Sequence, residues 1–134
     1  MATILIVDDH AATRELLRAL LQYKGHRVLA AVGGPEAIAA TAEAMPDLII
    51  ADVVMPGMDG FTFIRLLRQH TACCAPVAMM SASLDEARAR SLAEKCGATD
   101  YLPKPFEPQQ VLELVSRMLL RGSLAPLAGG AYAP

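Results

Sequence analysis

Apolar residues in this chain fall into short unbroken runs, separated by longer stretches with helical spacing. The runs lie at about 3–7 (TILIV), 27–32 (RVLAAV), 47–51 (DLIIA), 76–80 (PVAMM) and 99–102 (TDYL), and they predict strands, the first of them buried on both faces as in a parallel sheet. Between and after them the pattern predicts helices at about 10–24, 35–45, 60–70, 84–96 and 107–121. In the last helix Val111, Leu114, Val115 and Met118 recur at i, i+3, i+4 and i+7, which makes a stripe facing a core. The punctuation agrees. Gly25 suits the end of the first helix, Pro35 the first turn of the second, and Asp59 a cap for the third.

Regular alternation of strand and helix with short connections implies an α/β fold, a five-stranded parallel sheet covered by helices on both faces. Such doubly wound sheets bind ligands beyond the carboxyl ends of their strands, where the strand order reverses. The polar residues at those ends form a coherent set. Asp8 and Asp9 follow the first strand, Asp52 the third, Ser81 the fourth and Lys104 the fifth. Two carboxylates about 4 Å apart repel by roughly 4 kcal/mol at an effective dielectric near 20, so their juxtaposition needs a reason. A hard divalent cation supplies one. Mg²⁺ prefers oxygen ligands and keeps several waters, with Asp9 and Asp52 as direct ligands and Asp8 acting through water. The competing explanation is that the aspartates cap the first helix. It accounts for Asp8-Asp9 alone, but not for Asp52 and Lys104 at matching strand ends.

Composition narrows the field. The 134 residues are 54% hydrophobic and 19% charged, enough for one domain with an aliphatic core. A formal net charge of −2 gives no general attraction to nucleic acid or anionic membrane. No apolar run has the length of a membrane span and no signal-peptide pattern opens the chain, so a cytoplasmic protein is expected. Cys73, Cys74 and Cys96 lack metal-ligand spacing and read as unpaired thiols, Cys96 as a small packing residue. Met45, Met55, Met58, Met79 and Met80 read as packing residues or loop anchors. Residues 122–134 (GSLAPLAGGAYAP) are uncharged and rich in Gly, Ala and Pro, hence a tail or linker after a domain spanning 1–121.

Four segments, LIVDDH, PDLIIADVVMPGMDGF, PVAMMSA and DYLPKPF, occur in this order over about residues 3–120 and together resemble a response-regulator receiver domain of two-component signalling. The resemblance implies a flavodoxin-like strand order 2-1-3-4-5. It implies that Asp52 is a phosphoacceptor, and that Asp8, Asp9, Asp52 and the Val54 backbone carbonyl hold Mg²⁺. Ser81 then bonds the phosphoryl oxygens, Lys104 pairs with the phosphate, and Ser81 and Tyr101 act as switch residues. The Lys104-Pro105 bond is expected to be cis, with Phe106 anchoring the start of the fifth helix.

The implied partners are a sensor histidine kinase or histidine phosphotransfer protein and a downstream protein target or effector domain. A homodimer through the face of the fourth helix, fifth strand and fifth helix is a further expectation, to which Leu112, Leu119 and Leu120 add apolar surface. Val54 and Ser83 flank the expected path of an attacking water, and an apolar Val54 implies slow self-dephosphorylation. His10 is placed on the first turn of the first helix, bordering the site.

Taken singly, these residues have plainer explanations. Ser81 can cap a helix, Tyr101 can be a half-exposed strand residue, and Lys104 a solvated loop charge. Three rival functions also remain. A Mg²⁺-dependent phosphohydrolase of the haloacid-dehalogenase type typically carries Asp-x-Asp after the first strand, where this chain has Asp8-Asp9-His10. A nucleotide- or flavin-binding module lacks its Gly-rich loop here. An unphosphorylated interaction domain leaves the acidic set without a purpose.

Overall fold

A computed structural model describes residues 1–55, 57–82, 86–95 and 97–124; the side chains of 86, 92 and 121–124 are outside the description. The elements alternate as β1 (Thr3–Val7), α1 (Ala11–Tyr23), β2 (Arg27–Ala31), α2 (Gly34–Glu43), β3 (Leu48–Asp52), α3 (Gly60–His70), β4 (Val77–Ser81), α4 (Glu86–Lys95), β5 (Asp100–Pro103) and α5 (Pro108–Leu124). The strands form one parallel sheet in the order β2-β1-β3-β4-β5.

The apolar runs are explained by their place in that order. Every residue of β3 and β4 is buried, whereas the edge strands β2 and β5 show exposed or half-buried positions. Alternate residues of the central strands feed two separate cores. Leu5, Val7, Ile49, Ala51 and Met79 pack under α2, α3 and α4 with Phe63 and Leu67. Ile4, Ile6, Ile50 and Met80 pack against Leu17 and Leu21 of α1 and the Val111, Leu114, Val115 and Met118 stripe of α5. Phe63, fully buried in α3, alone contributes about 2–3 kcal/mol of transfer free energy.

Helix ends follow the punctuation. Gly25 after α1 has φ 87°, the left-handed conformation that glycine adopts without steric cost. Pro35 sits in the first turn of α2, and the Asp59 carboxylate accepts a bond from Thr62 N at 2.7 Å. Some expectations need correction. α5 runs to Leu124, three residues beyond the expected boundary at 121, since one glycine at 122 costs only about 1 kcal/mol in an established helix. Residues 125–134, the rest of the expected tail, lie outside the described residues, as do Ser83 and Cys96. Met45 is exposed rather than packed, while Leu119 rests against the α1–α5 core, leaving Leu120 as the exposed leucine of the three.

Parallel register brings the strand C-termini to one edge, with Val7 beside Ala51, Asp52 beside Met80 and Ser81 beside Pro103. The chain leaves β1 for β2 on one side and returns past it to β3 on the other. The crevice between β1 and β3 is the topological switch point.

Candidate functional site

Asp8 leaves β1 into that crevice and is fully buried. Its Oδ1 accepts bonds from His10 N at 2.8 Å and lies 3.0 Å from His10 Nδ1, while its Oδ2 receives the Lys104 ammonium at 2.9 Å. Asp52 ends β3 and is almost as deep. Its Oδ1 accepts from Val54 N at 3.1 Å, and its Oδ2 receives the same ammonium at 2.7 Å. Lys104 thus ties together the ends of β1 and β3 from the far side of β4. Its own N donates to the Ser81 carbonyl at 2.8 Å, and the Lys104-Pro105 peptide bond is cis.

The charges are balanced by direct contact. Burial works to raise the Asp8 pKa, but the bonds from His10 N and Lys104 outweigh it and hold the carboxyl below its ordinary value. Burial likewise disfavours the charged Lys104, and its hydrogen bonds with Asp52 and Asp8 more than offset this, so the ammonium titrates above its ordinary value. Both groups stay ionised at neutral pH.

Asp9 differs from its neighbour. Its side chain is partly exposed at the mouth, and its Oδ1 is buried with no hydrogen-bond partner among the described residues. Asp8, Asp9, His10 and Asp52 each present a donor atom within 4.8 Å of the others. A mostly carboxylate donor set with one unsatisfied oxygen fits a hard divalent cation. The set opens into a depression of about 530 Å³, along whose wall lie Val54, Ala82 and Lys104. Val54 is exposed there.

The structure therefore brings Asp8, Asp9, Asp52 and Lys104 together, as the strand ends predicted. The N-cap of α1 is His10 rather than either aspartate, and its own side chain makes no capping bond; Asp8 reaches only the His10 N–H just ahead of the helix. Placing His10 within the first turn was one residue too far, because its extended backbone (ψ 116°) precedes the helix. Ser81 is buried at the end of β4, and its carbonyl accepts from Lys104 N and, at 3.4 Å, from the Tyr101 hydroxyl. Tyr101 is no half-exposed strand residue. It is 3% exposed, turned inward, with the Arg90 guanidinium 5.1 Å from its ring centroid.

One residue escaped the sequence reading. Arg14 donates from Nη1 to the Asp8 carbonyl at 2.8 Å and so fastens the β1–α1 loop. The available signal was its position four residues after His10, on the turn of α1 nearest the strand end.

Comparison with known proteins agrees with this geometry. The model of the response regulator receiver domain matches residues 4–116. The transcriptional regulatory protein GltR of Pseudomonas aeruginosa is 38% identical over 129 residues, covering 96% of this chain and 53% of that protein. Protein PilH of the same organism is 34% identical over 119 residues, covering 89% of this chain and 98% of PilH. Among solved structures, the chemotaxis response regulator CheY4 of Vibrio cholerae superposes with a TM-score of 0.81 at 34% identity, covering 88% of this chain and 98% of CheY4. The chain spans about half the length of the regulators GltR and ResD. With a family match over most of its length and the acidic crevice at its switch point, this chain belongs to the response regulator receiver domain family.

Proposed function

We propose that residues 1–121 act as a phosphoacceptor domain, in which Asp52 takes a phosphoryl group from a phosphohistidine donor. The observation that carries this reading is the single ammonium of Lys104 held by both Asp8 and Asp52, at 2.9 and 2.7 Å. That arrangement holds the Asp52 carboxylate, the nucleophile, beside a cation set where phosphoryl charge would arrive. An Asp52 oxygen attacks phosphorus, forming a P–O bond. The P–N bond to the donor imidazole breaks, its electron pair stays on nitrogen, and that nitrogen is then reprotonated by solvent. Lys104 passes from the Asp52 carboxylate to the phosphoryl oxygens as a compact point charge. The Ser81 hydroxyl donates to another of those oxygens.

Asp9, Asp52 and the Val54 carbonyl would hold Mg²⁺ directly, with Asp8 behind them; when bound, the ion supplies positive charge against the transferring group. The unsatisfied Asp9 oxygen at the mouth supports this assignment. The protein is then a signalling phosphoacceptor, catalysing only its own phosphorylation and dephosphorylation. Val54, which cannot orient a water, favours a slow return.

Phosphorylation adds charge and acceptor oxygens beside Ser81, and the phosphate biases whichever arrangement of Ser81 and Tyr101 it contacts better. The output is a change in the face of α4, β5 and α5, read by a downstream protein target or effector domain or by a second copy of the chain. The donor is a sensor histidine kinase or histidine phosphotransfer protein, and the setting is cytoplasmic. Among the described residues no helix is long and apolar enough to cross a membrane.

Incubation with Mg²⁺ and acetyl phosphate tests the reading. One equivalent of protein-bound acyl phosphate, abolished by EDTA, is expected. Rapid phosphate release with no accumulation of protein-bound acyl phosphate would indicate a phosphohydrolase, and no reaction at all an unphosphorylated interaction module.

A further inference from the structure

We propose that Met58 is a positioning residue for Asp52, fixing the β3–α3 loop through a seat that α2 provides at Gly34. The inference rests on the phosphoacceptor reading above and concerns what holds the loop that follows the acceptor. Val54 donates its N–H to Asp52 Oδ1 at 3.1 Å, yet its own side chain is exposed and does nothing to fix that amide. The loop is tied at its ends, where Val53 N donates to the Met80 carbonyl at 2.9 Å and Gly60 N to the Val53 carbonyl at 2.7 Å. Among the described residues between those ties, Met55 and Met58 are the side chains that pack inward, both against the core under α2, α3 and α4. Gly57 lies between them, and its left-handed backbone (φ 77°) turns the chain there.

Met58 rests on Gly34, a buried residue in the first turn of α2. A Cβ built at Gly34 would overlap Met58 Sδ and meet its Cγ at 3.2 Å and its Cε at 3.4 Å. Three consecutive atoms of the side chain thus line the space that a larger residue would fill. Gly34 is not among the glycines of positive φ, so its missing side chain serves the close approach of Met58 rather than a special backbone angle. The plainer explanation is ordinary packing, which predicts a change in stability alone. Positioning predicts in addition a change at the Val54 amide and in the rate of phosphoryl transfer. Misplacing a reacting group by about 1 Å can cost up to roughly 100-fold in rate.

Phosphorylation of the full chain by Mg²⁺ and acetyl phosphate, followed by intact mass, should be timed for the parent, Gly34→Ala, Met58→Ala and the double variant. The Val54 amide resonance and a urea titration are recorded for each. Gly34→Ala fills the seat and Met58→Ala empties it. Each should slow phosphorylation about three- to tenfold and shift the Val54 amide. In the Met58→Ala background Gly34→Ala should slow the reaction no further, because nothing then occupies the seat. A parent-like rate or an unmoved Val54 amide in both single variants would overturn the inference, whatever their stability. Equal slowing by Gly34→Ala with and without the methionine would overturn it too. If the parent itself takes no phosphate, the phosphoacceptor reading fails and this inference with it. If the parent is phosphorylated and the single variants match it, this inference fails alone.

Discussion

At the scale of single residues, the crevice is organised by one cation among several acids. Lys104 bonds two carboxylates that would otherwise face each other in a space from which water is largely excluded. Replacing it with alanine leaves Asp8 charged and fully buried, a situation that costs several kcal/mol where no water can enter. The open mouth beside Asp9 moderates this, so Lys104→Ala should lose about 1–3 kcal/mol of unfolding free energy in urea titration. Added Mg²⁺ should recover part of the loss, because a second cation relieves the same repulsion; no loss, or no recovery, would contradict the balance described. The acids and the lysine were legible in sequence because each follows an apolar run, and the fold gathers such positions at one edge. Arg14 was not, since an arginine on a first helical turn looks like a solvated charge until the neighbouring loop is placed. The depth of Tyr101 was hidden for a similar reason. An edge strand exposes side chains unless a helix covers them, and here Arg90 of α4 lies over the ring.

At the scale of elements, the β3–α3 connection follows Asp52, the proposed acceptor, and leaves little room for change. A Cβ at Gly60 would meet the Asp52 carbonyl oxygen at 2.6 Å and also the Met79 methyl group. The methyl can turn aside. The carbonyl is that of Asp52 itself, and Gly60 N is bonded to Val53 O at 2.7 Å. Gly60→Ala should therefore destabilise by about 2–3 kcal/mol and slow phosphorylation by acetyl phosphate. Asp59→Ala, one residue earlier, removes only the cap on Thr62 N and should cost about 1 kcal/mol. Urea titrations of the two variants side by side would test this order, and an equal or smaller cost at Gly60 would refute it. The cap was legible from Asp59-Gly60 ahead of a helical stripe. The close approach at Gly60 was not, because it depends on how the start of α3 folds back against the end of β3.

At the scale of the whole molecule, alternation of apolar runs with helical stripes was enough to read a doubly wound parallel sheet. The order of its strands was not in that pattern and came from resemblance, since neighbouring strands are chosen by how helices pair across the faces. The two ends of β1 also differ in character, with the acidic crevice at one and a small latch at the other. There Ala2 N donates to His26 Nδ1 at 3.2 Å, a bond that only the neutral ring can accept. Burial and the nearby N-terminal ammonium lower the His26 pKa below its ordinary value of 6.5. The folded state thus binds the proton less readily than the unfolded chain. Its contribution to stability is complete above pH about 6.5 and is lost as pH falls through that value toward the lower folded pKa. Denaturation across this window should show stability declining with acidification, and His26→Gln should flatten the decline. An identical slope in the variant would place the dependence elsewhere.

The central claim is that Asp52 is the phosphoacceptor, and intact-mass spectrometry tests it most directly. After treatment with Mg²⁺ and acetyl phosphate, the parent chain should gain the mass of one phosphoryl group, in a form stable to acid and labile to base. Asp52→Asn keeps the shape of the side chain but removes the nucleophilic carboxylate, and it should gain nothing. Undiminished phosphate uptake by Asp52→Asn would contradict the claim.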